Sequence, residues 1–319
     1  MCETAIWNTI DADMIKDQLL SKNGTATMIL SRELLKYAIG DRIPTITEFS
    51  KKMSLARGTV QNALKNLIGA KAIVVKPKGH LGSYLSDKNT ATLMEYAGIG
   101  SLVGTMPLPY SKRYEGLASG IIISAEKQKI AEVNLAYMRG SKNRMSMVVN
   151  GRYDFAIVSR FAAKEYIENN GQLEIIMGFG PLSYLNKHVL MLHDETKDRV
   201  EDGMRIGVDD TSFDQKELTK IACGSRKVEY IPIEYTRTIE AIKNGEVDAM
   251  VMNIDEVLDK NVDIHYAAIE GYDIDNTEAV VLISKGREEI GFLLKEILDV
   301  DAVLQVQKEV MEGKLVPRY

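Results

Sequence analysis

Residues 40–67 constrain the fold of this chain most, because they predict two short helices joined by a tight turn. Thr45 and Glu48 have the spacing of a capping box, which begins the first helix by satisfying free backbone N–H groups. The run Met53-Ser54-Leu55 interrupts the helical pattern, and a second helical pattern follows it. The segment therefore predicts a helix-turn-helix unit.

The second of these helices has two chemically different faces. Apolar residues at helical spacing predict a buried stripe: Val60, Leu64, Leu67 and Ile68. The other side carries long hydrogen-bond donors four residues apart: Arg57, Gln61 and Lys65. An apolar back that holds the helix, with donors in front for base edges and phosphates, is typical of a DNA-recognition helix. The alternative is an ordinary amphipathic helix with a solvated basic face.

A hairpin predicted after the second helix completes a winged helix-turn-helix. Residues 73–85 show two short strand patterns around a Gly-punctuated turn, with Lys76 near the tip. We predict that seven residues of the helices and the hairpin contact double-stranded DNA: Lys52, Arg57, Thr59, Gln61, Lys65, Lys78 and His80.

Residues 25–85 resemble the winged helix-turn-helix of the GntR family of bacterial transcriptional regulators. The family pattern has a Gly-x-x-Leu-Pro-Ser start, a Ser-Arg-x-Thr-Val recognition helix and a Gly-x-Gly wing. It is matched at Gly40, Pro44, Arg57, Thr59, Val60, Leu64, Gly79 and Gly82. Four positions depart from it: Ala56 replaces a capping Ser or Thr, Thr47 and Gln61 stand where Arg occurs, and Leu81 lengthens the wing. The resemblance implies operator binding, but by an altered or weaker set of contacts.

The charge distribution agrees with a nucleic-acid partner. Residues 25–85 carry ten Lys or Arg against three Asp or Glu, a net charge of +7, whereas the rest carries thirty against forty-two, a net of −12. A basic module joined to an acidic one favours DNA binding by the first alone.

Cys2 and Cys223 do not form a metal-ligand set, so we predict no metal and no cofactor. No apolar run approaches the roughly 20 residues that span a bilayer, which predicts a cytoplasmic protein without membrane contact.

Residues 1–24 precede this unit and predict a helical extension that stops near Asn23-Gly24. Its apolar residues share one helical face: Ile6, Trp7, Ile10, Met14, Ile15 and Leu19. That face either packs on the protein's own body or forms a contact in a homodimer.

A polar stretch at 86–90 predicts a linker, which we extend over residues 87–98, after a winged helix at 25–86.

From residue 99 onward, short apolar strand patterns alternate with helical patterns, which predicts an α/β fold with mainly parallel sheets. A weak internal repeat runs from about 99 to 255, and its two copies share an Asn-Gly-x-x-Asp turn at Asn150 and at Asn244. Two similar lobes resemble the type II periplasmic-binding-protein fold. We place lobe 1 at about 99–182 and 275–319, and lobe 2 at about 183–274.

The combination of a GntR-like winged helix with this bilobal domain resembles the YhfZ family of regulators. Residues 104–110 and 134–140 are the segments most similar to it. The resemblance implies a transcriptional regulator but supplies no effector.

Loops that lead into helix N-termini at the ends of parallel strands predict a ligand cleft between the lobes. Helix N-termini favour anionic groups, so we predict a small polar, anionic metabolite such as a carboxylate or phosphate ester. Hydroxyl, amide and guanidinium groups make up the predicted site: Thr105, Ser111, Arg113, Ser159, Arg160, Thr211, Ser212 and Asn253. Each Ser or Thr could instead be an ordinary helix cap, and Arg160 a surface ion-pair partner.

We therefore predict a homodimeric regulator whose operator affinity is controlled by this metabolite. The alternative is an enzyme on the same bilobal fold, for which Asp209-Asp210 would be the acid/base pair. No P-loop, nucleophile elbow or Rossmann glycine motif supports catalysis, and we predict no catalytic residue. A third possibility is a DNA-bound architectural or toxin–antitoxin-type factor, which would not need a polar cleft.

Overall fold

A computed structural model describes residues 21–269 and 277–319 of the chain. The chain forms two compact units, residues 1–100 and 101–319. The helical extension predicted for residues 1–20 lies outside the described residues.

Over residues 21–100, the first unit is built on four helices: α1 (Lys22–Leu35), α2 (Ile46–Met53), α3 (Arg57–Gly69) and α4 (Thr90–Ala97). The capping box begins α2, because the Thr45 hydroxyl accepts from Glu48 N at 3.2 Å and the Glu48 carboxylate accepts from Thr45 N at 2.7 Å. Ser54 ends α2 in the left-handed region, with a φ of 54°, and so turns the chain into α3. Ala56 precedes α3 without a side-chain cap.

Three short strands complete this unit: β1 (Arg42–Ile43), β2 (Ile73–Pro77) and β3 (Ser83–Lys88). They form an antiparallel sheet in the order β1-β3-β2, with a single 3₁₀ turn over Gly79–Leu81 between β2 and β3. The helices and the sheet share one apolar core, which includes Leu30, Leu34, Phe49, Val60, Leu67 and Leu85. This arrangement is a winged helix-turn-helix.

Three expectations about this unit need correction. Asn23-Gly24 does not stop a helix: Ser21 caps α1 by accepting from Gly24 N, so the pair lies in its first turn. Residues 87–98 are not a linker, since β3 extends to Lys88 and the apolar side of α4 is buried through Leu93, Met94 and Ala97.

The third correction concerns the buried stripe of α3. The structure buries Val60, Ala63 and Leu67, whereas Leu64 is half-buried and Ile68 is exposed. The prediction chose the large apolar residues Leu64 and Ile68, whereas the small Ala63 lies on the buried face with Val60 and Leu67.

The second unit has two lobes, each built on a five-stranded sheet in the described ranges. The strands of lobe 1 are β4 (Leu102–Met106), β5 (Val133–Tyr137), β6 (Phe155–Ser159), β7 (Leu173–Gly178) and β13 (Ala279–Ser284). Those of lobe 2 are β8 (His188–Leu192), β9 (Arg205–Val208), β10 (Glu229–Pro232), β11 (Ala249–Asn253) and β12 (Tyr266–Ala268). The orders are β5-β4-β6-β13-β7 and β10-β9-β11-β8-β12.

The two sheets have the same topology, which explains the internal repeat. In each sheet, three neighbouring strands run parallel, and a fourth strand pairs antiparallel with both of its neighbours. This reversed strand is β13, between β6 and β7, in lobe 1 and β8, between β11 and β12, in lobe 2. The sheets are therefore mixed, with a single reversed strand each. Strand β13 comes from the far end of the chain and returns to lobe 1.

Eight helices cover the sheets in the described residues. Lobe 1 carries α5 (Lys112–Gln128), α6 (Ser141–Val149), α7 (Arg160–Asn170), α11 (Glu288–Ile297) and α12 (Val300–Met311). Lobe 2 carries α8 (Phe213–Cys223), α9 (Thr238–Lys243) and α10 (Ile254–Asp259). Strands β6, β8 and β11 are buried along their whole length. The carboxyl ends of β6 and β11 and the amino end of the reversed strand β8 lie at the cleft, so these buried strands position the loops that form it.

Candidate functional site

The outer face of α3 is accessible in the winged helix. Arg57, Gln61 and Lys65 are exposed, and Thr59 is half-buried. Val60, Ala63 and Leu67 hold the opposite side in the core. The three long donors are thus presented together, as a helix that enters a major groove requires.

The wing and α2 place the remaining predicted DNA contacts. Lys78 lies over the Tyr84 ring, 4.2 Å from its centre, and His80 is exposed in the 3₁₀ turn at the tip. Lys52 is half-exposed, and its ammonium pairs with Glu33 of α1 at 2.5 Å. The Lys78 ammonium therefore interacts with the face of the Tyr84 ring while the residue stays exposed at the wing.

A cleft lies between the two lobes, at the carboxyl ends of strands from both sheets. Its main lining residues are Pro107, Tyr110, Arg139, Ser141, Arg144, Tyr184, His188, Asp209, Ser212, Asp214, Tyr235 and Asn253. The space open to the centre of a water molecule is about 60 Å³, enough for a handful of waters. The lobes are therefore nearly closed on each other.

Charged and polar contacts join the lobes across this cleft. Arg139 follows β5 and donates to Asp209 at 3.3 Å and to Glu234 at 2.8 Å, both in lobe 2. The Ser159 hydroxyl, at the end of β6, donates to Asp214 in the first turn of α8 at 2.8 Å. Asp209 also accepts from Thr211 and from Tyr235 N, so its position is fixed within lobe 2.

Close packing accompanies these contacts. Gly140 lies directly against the Thr211 backbone: a Cβ at Gly140 would stand 2.6 Å from the Thr211 carbonyl oxygen. The rings of Tyr110 and Tyr235 lie 5.7 Å apart, also from opposite lobes. The lobes therefore touch through backbone as well as side chains, and any separation of the lobes breaks these contacts.

Burial shifts the titration of two cleft residues. Burial raises the pKa of Asp214 to about 6, against the opposing effects of the Ser159 hydrogen bond and the nearby Arg144. Burial also lowers the pKa of His188 to about 3, which keeps the imidazole neutral near pH 7. The Arg144 guanidinium is buried and donates to Ile157 O, Met138 O and the Tyr184 hydroxyl, and no ion pair to it exists in the described part of the chain.

The predicted ligand residues fall into three groups. Ser212 and Asn253 line the cleft, and Thr211 and Ser159 lie at the contact between the lobes. Ser111 and Ser159 cap α5 and α7, and the Thr105 hydroxyl is buried on β4 without a partner among the described residues. Arg113 pairs with Asp255 at 2.9 Å, and Arg160 pairs with Glu278. Neither arginine is among the cleft-lining residues.

Several cleft residues were not predicted from the sequence: Tyr110, Arg139, Ser141, Arg144, Asp214 and Tyr235. Arg139 and Ser141 could have been found, because they lie between the end of strand β5 and the first residue of helix α6, the same strand–loop–helix pattern that singled out Ser111 and Ser212. The others needed the three-dimensional arrangement.

The carboxylates considered for catalysis have structural partners. Asp209 is held by the contacts described above, and Asp210 is exposed and pairs with Lys216 at 2.8 Å. In residues 21–269 and 277–319, no group of three or more His, Cys, Asp or Glu side chains could hold a metal ion.

The described residues combine a winged helix-turn-helix with a bilobal α/β domain. Sequence comparison agrees: residues 38–85 match a helix-turn-helix domain, and residues 89–319 match the YhfZ C-terminal domain. YhfZ of Escherichia coli K12 is 33% identical over 303 residues, which cover 94% of this chain and 98% of that protein. The chain belongs to the YhfZ family.

Solved structures are similar to a large part of this chain. The crystal structure of YhfZ from Shigella flexneri is 33% identical, with a TM-score of 0.59 over 72% of this chain and 98% of that one. The aliphatic sulphonate binding protein SsuA of Escherichia coli is 12% identical, with a TM-score of 0.49 over 67% of this chain and 75% of that one. Among the described helices, none has both the length and the apolar character that a membrane span requires.

Proposed function

We propose that this protein is a homodimeric transcriptional regulator and not an enzyme. Its winged helix binds a double-stranded DNA operator, and its bilobal domain binds a small polar, anionic metabolite that changes operator affinity. The observation that carries this proposal is the cleft, whose polar lining comes from both lobes in a chain that also carries an exposed recognition helix.

The mechanism we propose links lobe closure to the spacing of two recognition helices. A dimer would place two copies of α3 in successive major grooves, about 34–36 Å apart on a pseudo-palindromic site. The ligand stabilises the closed lobes because it binds that state more tightly than the open one. Coupling between two such sites typically changes affinity by a factor of roughly 5–150.

Direct measurement of ligand-dependent DNA binding tests this proposal. Genomic fragments selected by the full-length protein define an operator, and its affinity is then measured with and without metabolite anions at fixed ionic strength. We expect at least one anion to change operator affinity at least fivefold. A protein that selects no sequence, or whose affinity no metabolite changes, would contradict it.

Arg57→Ala is expected to remove most of the preference for operator over random DNA. A bidentate contact from arginine to guanine discriminates by about 1–3 kcal/mol, or roughly 5–150-fold. Competition binding with both DNAs measures the ratio. An unchanged ratio would exclude Arg57 from base recognition.

Lys78→Ala is expected to weaken binding to operator and random DNA alike. Loss of one phosphate contact should reduce the slope of log affinity against log salt by about one. The two variants serve as controls for each other. Arg57→Ala should change the preference for operator over random DNA, and Lys78→Ala should change the slope of log affinity against log salt. A slope equal to that of the unmodified protein would place Lys78 away from the phosphates.

A further inference from the structure

The N-terminus of α6 differs from the other helix starts around the cleft. Gly140 precedes it and provides no side-chain cap, and its first turn has no acidic residue. By contrast, Ser111, Ser159 and Asn253 cap their own helices, and α8 has Asp214 in its first turn. The free N–H groups and partial positive charge of α6 are therefore not offset within its own sequence.

Positive side chains add to this charge. Arg139, Lys142 and Arg144 lie just before or within the first turn of α6, where cations are unfavourable to the helix dipole. Two carboxylates pair with Arg139, but the buried Arg144 has only neutral hydrogen-bond partners in the described chain.

Among the residues that the structure describes, three hydrogen-bond donors in the cleft are buried without a partner. They are the Ser141 hydroxyl, the Tyr110 hydroxyl and the Arg139 Nε–H, and all three residues line the same cavity. Ser141 is only 6% exposed. Buried donors without partners are costly, so such a group of them in one cavity indicates a ligand that accepts hydrogen bonds.

We propose that Ser141, Arg139, Tyr110 and the N-terminus of α6 bind the oxyanion group of the effector, a carboxylate, phosphate or sulfonate. This rests on the proposed function only in assuming that the cleft binds a ligand. The rest of the effector then points toward Ser212 and Asn253 of lobe 2. The small cavity limits what fits while the lobes stay as close as they are here.

The Tyr110 and Ser141 hydroxyls can be removed without damage to the fold, so the effect of their loss on ligand binding can be measured directly. Tyr110→Phe and Ser141→Ala each remove a hydroxyl without a partner, so the ligand-free melting temperature should stay the same or rise. Tyr137→Phe is the matched control, because its hydroxyl is also buried without a partner in the described residues but lies outside the cleft.

The experiment titrates the full-length protein and these variants with sodium phosphate, sulfate and acetate against sodium chloride at equal ionic strength, and follows thermal unfolding and calorimetric binding. We expect at least one oxyanion to bind and to raise the melting temperature above that in chloride. Its affinity should fall about tenfold or more in Tyr110→Phe and Ser141→Ala and stay unchanged in Tyr137→Phe. Absence of oxyanion binding, or equal affinity in all variants, would overturn the proposal.

The same titrations separate this inference from the proposed function. An oxyanion that binds through Ser141 without changing operator affinity would support the anion site and contradict the regulatory mechanism. A neutral metabolite that changes operator affinity, with no oxyanion bound, would contradict the anion site and leave the regulator standing.

Discussion

Asp214→Asn is expected to stabilise the protein at pH 8 by up to about 3 kcal/mol, which corresponds to the rise in the Asp214 pKa from 3.8 to about 6. The raised pKa means that the folded protein favours the protonated carboxyl. Its stabilising contribution is complete below pH 3.8 and is lost as the pH rises through about 6. Asparagine resembles the protonated acid, and its amide oxygen can still accept from Ser159.

The melting temperature of the full-length variant should therefore be several degrees higher at pH 8, because roughly 2–4 °C accompany each kcal/mol in a domain of this size. The difference should shrink toward zero near pH 4. Asp210→Asn is the matched control: its exposed carboxylate is next to Lys216, which lowers its pKa, so its loss should not stabilise at any pH. A variant at Asp214 that is destabilised at pH 8 would show that the ionised carboxylate is required there.

Gly140→Ala is expected to prevent the lobes from closing as they do here. The added Cβ would lie 2.6 Å from the Thr211 carbonyl oxygen, closer than real Cβ atoms come to other atoms, and the obstacle is backbone that cannot rotate away. Gly140 has a φ of +77°, so alanine also adds backbone strain of about 1 kcal/mol. The contacts from Arg139 to Asp209 and Glu234 should be lost together with closure.

Gly151→Ala separates the two effects. Gly151 has a similar φ of +66°, but its added Cβ would have no atom within 4 Å. Amide hydrogen exchange around residues 139–143 and 209–213 should accelerate about tenfold or more in Gly140→Ala and remain unchanged in Gly151→Ala. Any oxyanion-induced rise in melting temperature should also disappear only in the first variant. Equal behaviour of the two variants would mean that strain, and not contact between the lobes, is responsible.

The sequence alone predicted the parts of this protein that local rules specify. The capping box at Thr45 and Glu48 and the turn at Ser54 depend on neighbours three or four residues away, so the helix-turn-helix could be found from the chain itself. The three parallel strands of each repeat copy and the return of residues 279–284 to lobe 1 followed from short apolar runs and from the internal repeat, whereas β7, β8 and β12 were not predicted.

Predictions from local sequence patterns were wrong where contacts between distant parts of the chain determine the structure. The polar stretch at 86–90 predicted a linker over residues 87–98, but three apolar side chains bury one side of α4 in the first unit. On α3, the small Ala63 lies inward and the larger Ile68 outward, which hydrophobicity alone cannot indicate.

The candidate cleft shows the same division. Its general place, at strand ends between two lobes, followed from the repeated strand–loop–helix pattern, and so did Ser212 and Asn253. Only the tertiary structure decided that Arg113 and Arg160 have carboxylate partners, and that Arg139 meets Asp209 and Ser159 meets Asp214 across the lobes. These contacts join residues more than 50 positions apart, so their geometry depends on how distant segments pack within and between the lobes, and periodicity within any one segment carries no information about it.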